Sequence, residues 1–449
     1  MPTKRPCRLC RYGRLHGGAA AQREVQGDDG NIPRTGRVMS VGAERLRRPA
    51  WVSLATPRAA AIGGVLLGVL AFFLALPPVK TRTVAVLIVI GLVAVAAGAW
   101  ALTRGDRRAG WGAVASGMLG AASGVLATRA SVPHLEAVIL WGPIIAATLR
   151  FATPLTFAAI GGLFSERSGV VNIGLEGMML MGAFFGAWGA DVTGSWEAGI
   201  FIGMAAGAAL AFVHAVFSIH LRADQIVSGT AVNFLALGVT GYLYIDIYKD
   251  RGTPNDLAAV PDVNLGFLDS VPPKSLGNFL DAAFGSLNLL VWLSFLLVIV
   301  AYIVLFKTPL GLHLRAVGEH PRAADTVGIS VYGVRYAAVT TSGALAALGG
   351  VFLSIGFSHA FTENMTAGRG FIALAALIFG KWRPFGALGA TLLFGFAGSV
   401  TPQLENVESW ATYGTLLSAL PYLLTLIAVA GVIGRSIPPA AVGRPYVKQ

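Results

Sequence analysis

Apolar runs of about 20 residues, each long enough to cross roughly 30 Å of hydrocarbon as a helix, recur along most of the chain. They predict spans near 59–76, 84–102, 112–127, 136–160, 170–190, 197–221, 226–248, 287–306, 335–357, 384–400 and 412–434. One further apolar stretch, FIALAALIFG between Gly370 and Lys381, is too short for an ordinary span. It reads as a broken helix that crosses only where its neighbours shield its ends. The predicted fold class is therefore an all-α polytopic transmembrane helix bundle of about 10–12 membrane segments, one of them short and broken.

Composition strengthens this picture. With 55% apolar and only 12% charged residues, against about 25% charged in soluble domains, the chain is excluded as a soluble globular enzyme. The 57 glycines suit helices whose backbones pack closely in lipid. Residues 1–58 differ, carrying twelve Lys/Arg against four acids without apolar periodicity, and are expected to form a basic, disordered cytoplasmic tail. No secretory signal is expected there, because no small-residue cleavage site follows a short apolar run. A start at Met39 would leave a short basic flank of Arg45, Arg47, Arg48 and Arg58, a more usual arrangement before a first span. Placing the N-terminus inside puts 26 of the 34 Lys/Arg on cytoplasmic parts and 7 on outer loops, so both termini are predicted cytoplasmic. That topology accounts for the net charge of +12, and no nucleic-acid partner is expected. The organisation expected is tail 1–58, additional N-terminal hydrophobic segments 59–135, a membrane domain 136–435 and a cytoplasmic C-terminal tail 436–449.

Polar residues inside such spans carry the candidate chemistry, since a charge at mid-bilayer costs about 2.5–3.5 kcal/mol on insertion scales. Glu176 lies four residues after Asn172 in NIGLEG, so the two share a face if the piece is helical. Glu176 reads either as a polar point on a solute path or as a structural carboxylate bonded to a neighbouring helix end. Arg150 and Asp246 read as interfacial. Gln225, Ser228 and Asn233 form a polar stripe entering the seventh span, suited to a neutral, hydroxyl-rich solute or to interhelical bonding. The loop from Lys307 to Arg335 contains a short helix after His320, with Pro321 at its first turn and Gly328 ending it, which is able to dock another protein or lie on headgroups. No phosphate-binding loop occurs: Gly380-Lys381 is followed by Trp382 and has Ala375 where a glycine is needed. Cys7 and Cys10 make at most half a zinc site, so neither a metal centre nor a cofactor is expected.

The strings LFSERSGVVNIGLEGMMLMGAF from Leu163, ADQIVSGTAVNFLALG from Ala223, GLHLRAVGEHPRAADTVGI from Gly311 and TAGRGFIALAALIFGKWRPFGA from Thr366 together resemble the permease subunits of bacterial ABC importers for nucleosides. These belong to the wider branched-chain amino acid, ribose and sugar permease family, and the likeness is to the shorter of two nucleoside permeases usually encoded side by side. It covers about 136–435 and leaves residues 1–135 without a family role. The resemblance implies a transport subunit of the bacterial plasma membrane, not an enzyme. It also implies a dimer, with a second and different permease subunit favoured, an extracytoplasmic solute-binding lipoprotein, and separate ATP-binding cassette ATPase subunits. Asn172, Glu176, Gln225, Asn233 and Phe371 are then expected to line or shape the path. Gly318, Glu319, Pro321, Ala323, Ala324 and Gly328 are expected to form the ATPase coupling surface. An ion-coupled secondary transporter with its site at Glu176 is the other reading that a carboxylate beside glycine breaks allows.

Overall fold

The computed structural model describes residues 57–75, 84–129, 141–249, 252–254, 257–272, 274–405 and 437–448. The basic tail up to residue 56, with Cys7, Cys10 and Met39, and the span expected at 412–434 lie outside the described residues. What is described is almost wholly helical. α1 (Pro57–Ala75), α2 (Val84–Thr103) and α3 (Arg107–Arg129) pack on one another. Their contacts run through glycines: the Cα of Gly68 faces the Ser116–Gly117 backbone and that of Gly117 the Gly91 carbonyl. Where no water competes between helices, such close packing supplies the association energy.

The main bundle is built around α4 (Trp141–Arg167) and α12 (Val331–Val351, continued by a wide π turn to Ser358), which pack on each other and are buried over most of their length. Around them lie α5 (Leu175–Thr193), α6 (Trp196–Ala215, ending in a π turn through His220), α7 (Gln225–Tyr248), α9 (Leu289–Lys307), α13 (Arg369–Phe379) and α14 (Pro384–Glu405). α5 and α12 meet where Gly350 lets its backbone touch the Met179 carbonyl. Hydroxyl pairs join α4 to α14, Thr148 to Ser399 at 2.9 Å and Thr156 to Thr391 at 2.8 Å, satisfying polar groups that lipid cannot. Among the described residues six helices, namely α2, α4, α6, α7, α9 and α12 with their π continuations, are long and apolar enough to cross a membrane. α13 is a shorter apolar helix, as its sequence predicts.

Helix starts follow local chemistry. Asp224 caps α7 by accepting from the Ile226 and Val227 amides, Asn288 caps α9, and Ser330 caps α12, each filling an amide valence that the first turn leaves open. Between α7 and α9 the chain forms a two-stranded antiparallel ribbon, β1 (Asp262–Asn264) with β2 (Ser286–Asn288), around the short α8 (Lys274–Leu280). Arg150 donates to the Ser286 carbonyl at 2.9 Å, so the α4 guanidinium is tied to this ribbon. Asp246 is exposed near the end of α7.

Two sequence expectations need redrawing. The apolar run expected to be helical from residue 170 is broken: α4 continues to Arg167, Gly169 takes a φ of +93°, and helix resumes only at Leu175. A left-handed φ is where an α-helix stops and where glycine is favoured. The segment from Lys307 to Arg335 holds not one short helix but two, α10 (Pro309–Glu319) and α11 (Pro321–Thr326), each with proline in its first turn.

Candidate functional site

The α4–α5 break exposes backbone groups that a continuous helix would pair internally, and inside a bilayer each unpaired group costs several kcal/mol. Neighbouring side chains pair them one by one. Gln225 Oε1 accepts the Val171 amide at 2.7 Å. Asn233 acts at two points, accepting the Gly177 amide at 2.8 Å and donating Nδ2–H to the Ile173 carbonyl at 3.0 Å. His214, fully buried on α6, lies 3.1 Å from the Val171 carbonyl through Nε2 and 3.0 Å from Ser228 Oγ through Nδ1. The polar stripe of α7 thus holds the broken backbone in place, the bonding alternative for that stripe.

Asn172 lies in the break itself, not on a helical face shared with Glu176. It is fully buried and donates Nδ2–H to Ser342 Oγ on α12 at 3.0 Å. Its Oδ1 is buried with no partner among the described residues, as is Thr366 Oγ1 in the connector before α13.

Glu176 occupies the first turn of α5, and its carboxylate reaches the start of α13. Oε1 accepts the Gly368 amide at 2.7 Å and Oε2 the Gly370 amide at 2.6 Å. A Cβ on Gly370 would fall 2.5 Å from the Glu176 amide nitrogen and 2.6 Å from its Cα. Two helix N-termini therefore abut, and one carboxylate complements the partial positive charge of both. This is the helix-end arrangement that the sequence left open for Glu176. Phe371 follows on α13 with half its surface exposed in this chain, outside the cluster formed by Asn172, Glu176, Gln225 and Asn233.

Because Asn233 pairs two backbone groups for which the described residues offer no other partner, Asn233→Leu is expected to destabilise the chain by about 2–4 kcal/mol. Thermal unfolding of the detergent-purified protein measures this. A melting temperature equal to that of the native chain would mean that the break repairs its own hydrogen bonds.

The α10–α11 unit sits directly on the same break. Gly318, buried near the end of α10, lies so close to the Arg167 carbonyl that a Cβ there would collide with it. Ala324 of α11 is buried with Val317, Val331 and Tyr446. Glu319, Ala323 and Gly328 are exposed and Pro321 is half-buried, so the six residues expected at a coupling surface divide between an outer face and an inner seat. Exposed Val327 adds an apolar point to the outer face.

The sequence reading missed what fastens this unit. The C-terminal segment 437–448 folds back on it: the Ala441 amide donates to the Gly318 carbonyl at 2.9 Å, the Ala440 amide to Glu319 Oε2 at 3.1 Å, and the Gly443 amide to the Gly169 carbonyl at 3.2 Å. Buried Arg335 of α12 donates to the Arg444 carbonyl at 3.2 Å, and Tyr446 packs edge-on to Tyr332 at 5.6 Å. Burial raises the Tyr446 phenol above its ordinary pKa, helped by a hydrogen bond with Asp325. His214 was also missed; a lone imidazole four residues before Ser218 in an otherwise apolar helix was its only signal.

The comparisons with known proteins agree with this architecture. A family model described as branched-chain amino acid transport system / permease component matches residues 144–429, so α1, α2 and α3 precede the matched region. The guanosine ABC transporter permease protein NupQ of Bacillus subtilis is 42% identical over 70% of this chain and 99% of its own length. The nucleoside ABC transporter permease protein NupC of Lactococcus lactis is 40% identical over 68% of this chain and 96% of its own. The putative glucose ABC transporter permease protein TsgC13 of Haloferax volcanii is 38% identical over 58% and 78%, respectively. No solved structure matches. With its matched helices broken and capped as described, the chain belongs to the branched-chain amino acid transport system permease component family, and it is a multi-pass transport subunit of the bacterial plasma membrane, not an enzyme.

Proposed function

We propose that this chain is the permease subunit of an ABC importer that takes up nucleosides, with simple sugars as a related solute class. The observation that carries the reading is the seating of α10–α11 on the Arg167–Gly169 break, whose other end is the Glu176-bearing helix. Separate ATPase subunits bind the outer face of α10–α11, and their motion reaches the break through Gly318. On this reading α10–α11 and both termini face the cytoplasm. A second permease subunit, different in sequence, completes the pathway, and an extracytoplasmic lipoprotein delivers the solute.

Neutral polar capacity supports the solute class. Asn172 Oδ1 in the α4–α5 break and Thr366 Oγ1 in the connector before α13 are buried groups that no described residue pairs, and both suit a solute rich in hydroxyl and amide groups. Glu176 already accepts two amides. Two of its roughly four lone-pair sites are thereby committed to holding helix ends together, a capping role that weighs against the ion-coupled reading.

The decisive experiment is uptake of radiolabelled guanosine by cells expressing the chain, with and without its ATPase and binding protein, and with the proton gradient collapsed at constant ATP. Strict ATPase dependence that survives collapse is expected. Uptake by the chain alone that disappears with the gradient would replace this reading by a secondary transporter.

The outer face gives a local test. Val327 is 75% exposed, so Val327→Asp is expected to leave folding within about 0.5 kcal/mol of native. It should remove most co-purification of the ATPase subunit. Undiminished co-purification from detergent-solubilised membranes would move the docking face elsewhere.

A further inference from the structure

A second charged feature lies beside the coupling unit and takes no part in the path. The Phe306 ring at the end of α9 carries two guanidinium groups, with Arg167 Cζ 5.7 Å and Arg315 Cζ 5.1 Å from its centroid. Arg383 and Arg315 both lie within electrostatic range of Arg167, and Glu319 is the carboxylate that opposes them. Glu319 is itself engaged with the Ala440 amide. The other nearby acid, Glu166, is buried and accepts the Trp382 indole N–H at 2.6 Å. Arg167 is fixed by donating Nε–H and Nη2–H to the Trp382 carbonyl at 3.1 and 2.6 Å. Lys307 and Lys381, both exposed, flank the group.

Like charges held this close repel unless an anion joins them. The surroundings indicate which anion. Tyr302 stacks on Phe306 at 5.5 Å and meets Phe385 at 5.3 Å, while Phe385 is 53%, Leu310 72% and Leu312 58% exposed. Aromatic rings and bare aliphatic side chains next to a ring of cations are what an acyl chain and its headgroup meet at a bilayer edge.

We propose that Arg167 and Arg315, on the Phe306 ring, together with Arg383 form a binding site for the headgroup phosphate of an anionic phospholipid. The acyl chains lie along Phe385, Leu310 and Leu312. The lipid neutralises the arginine cluster and holds the root of α10 against the membrane. The site is independent of the solute and of the transport direction.

The test is thermal unfolding of the purified full chain in mild detergent with added phosphatidylglycerol, phosphatidylcholine or inorganic phosphate, for the native protein, Arg383→Gln, and Arg315→Gln with Arg383→Gln. Phosphatidylglycerol is expected to raise the native melting temperature by about 4 °C, phosphatidylcholine and phosphate to leave it unchanged, and the double variant to lose the shift. Arg383 is exposed, so the single variant folds and should show a reduced shift. Equal protection by both lipids, an undiminished shift in the double variant, or equal protection by phosphate alone would each overturn the lipid site. Co-purification of the ATPase subunit is expected to persist in the double variant, and its loss would reassign the cluster to protein docking.

Discussion

Glu176→Gln is expected to lower solute uptake about tenfold while leaving the amount of chain in the membrane unchanged. The carboxylate accepts the Gly368 and Gly370 amides with its two oxygens. Glutamine offers one oxygen and one NH2 group, so one buried amide of α13 then faces a donor. An unpaired buried amide costs about 1–3 kcal/mol, and a loss of 1.4 kcal/mol in the rate-limiting state is a factor of about ten. The lost charge adds to this, because it complements the first turns of both α5 and α13. Glu176→Asp keeps the charge but withdraws it by one methylene, and an intermediate uptake is expected. Quantitative blotting of membrane fractions beside radiolabelled guanosine uptake separates transport from insertion. Full uptake by the glutamine variant would leave the carboxylate as a dispensable cap.

How much of this was legible in sequence differs between helices and breaks. Long apolar runs fixed α7, α9 and α12 to within a few residues, because lipid selects on length and apolarity and both are printed in the chain. The α4–α5 break is legible as an interruption between the runs 136–160 and 170–190, but its position is not: α4 runs on to Arg167, and the break, which depends on Gly169 at positive φ, extends to Gly174. The side chains that pair its backbone come from 43 to 60 residues away, His214 and Gln225 to Val171 and Asn233 to Ile173, and no local pattern encodes such pairings. Asn172, Glu176, Gln225 and Asn233 still stand out as candidates, because polar side chains in apolar spans are conspicuous whatever they do. Their geometry decides between a lining group and a clamp, and it is tertiary. The C-terminal segment escaped for a different reason: a proline-punctuated stretch too short to span looks like a loose tail until Ala441 and Gly443 are seen bonded to Gly318 and Gly169.

Gly318→Val is expected to abolish coupled uptake while the ATPase subunit still binds. A side chain at this position would run into the Arg167 carbonyl, a backbone group that cannot swing aside as a flexible side chain would. Overpacking of this kind typically costs about 1–3 kcal/mol, and relief comes only by lifting α10 off the break. Lifting α10 also strains the bond from the Ala441 amide to the Gly318 carbonyl, so the C-terminal segment loses its anchor together with the break. The exposed face of α11 is untouched, and ATPase association measured by co-purification should stay near native. ATP hydrolysed per solute transported should therefore rise sharply, a readout that simple misfolding does not give. If Gly318→Val instead transports as well as the native chain, then the Arg167–Gly318 contact does not carry motion, and coupling must run through α12, which meets α11 at Val331.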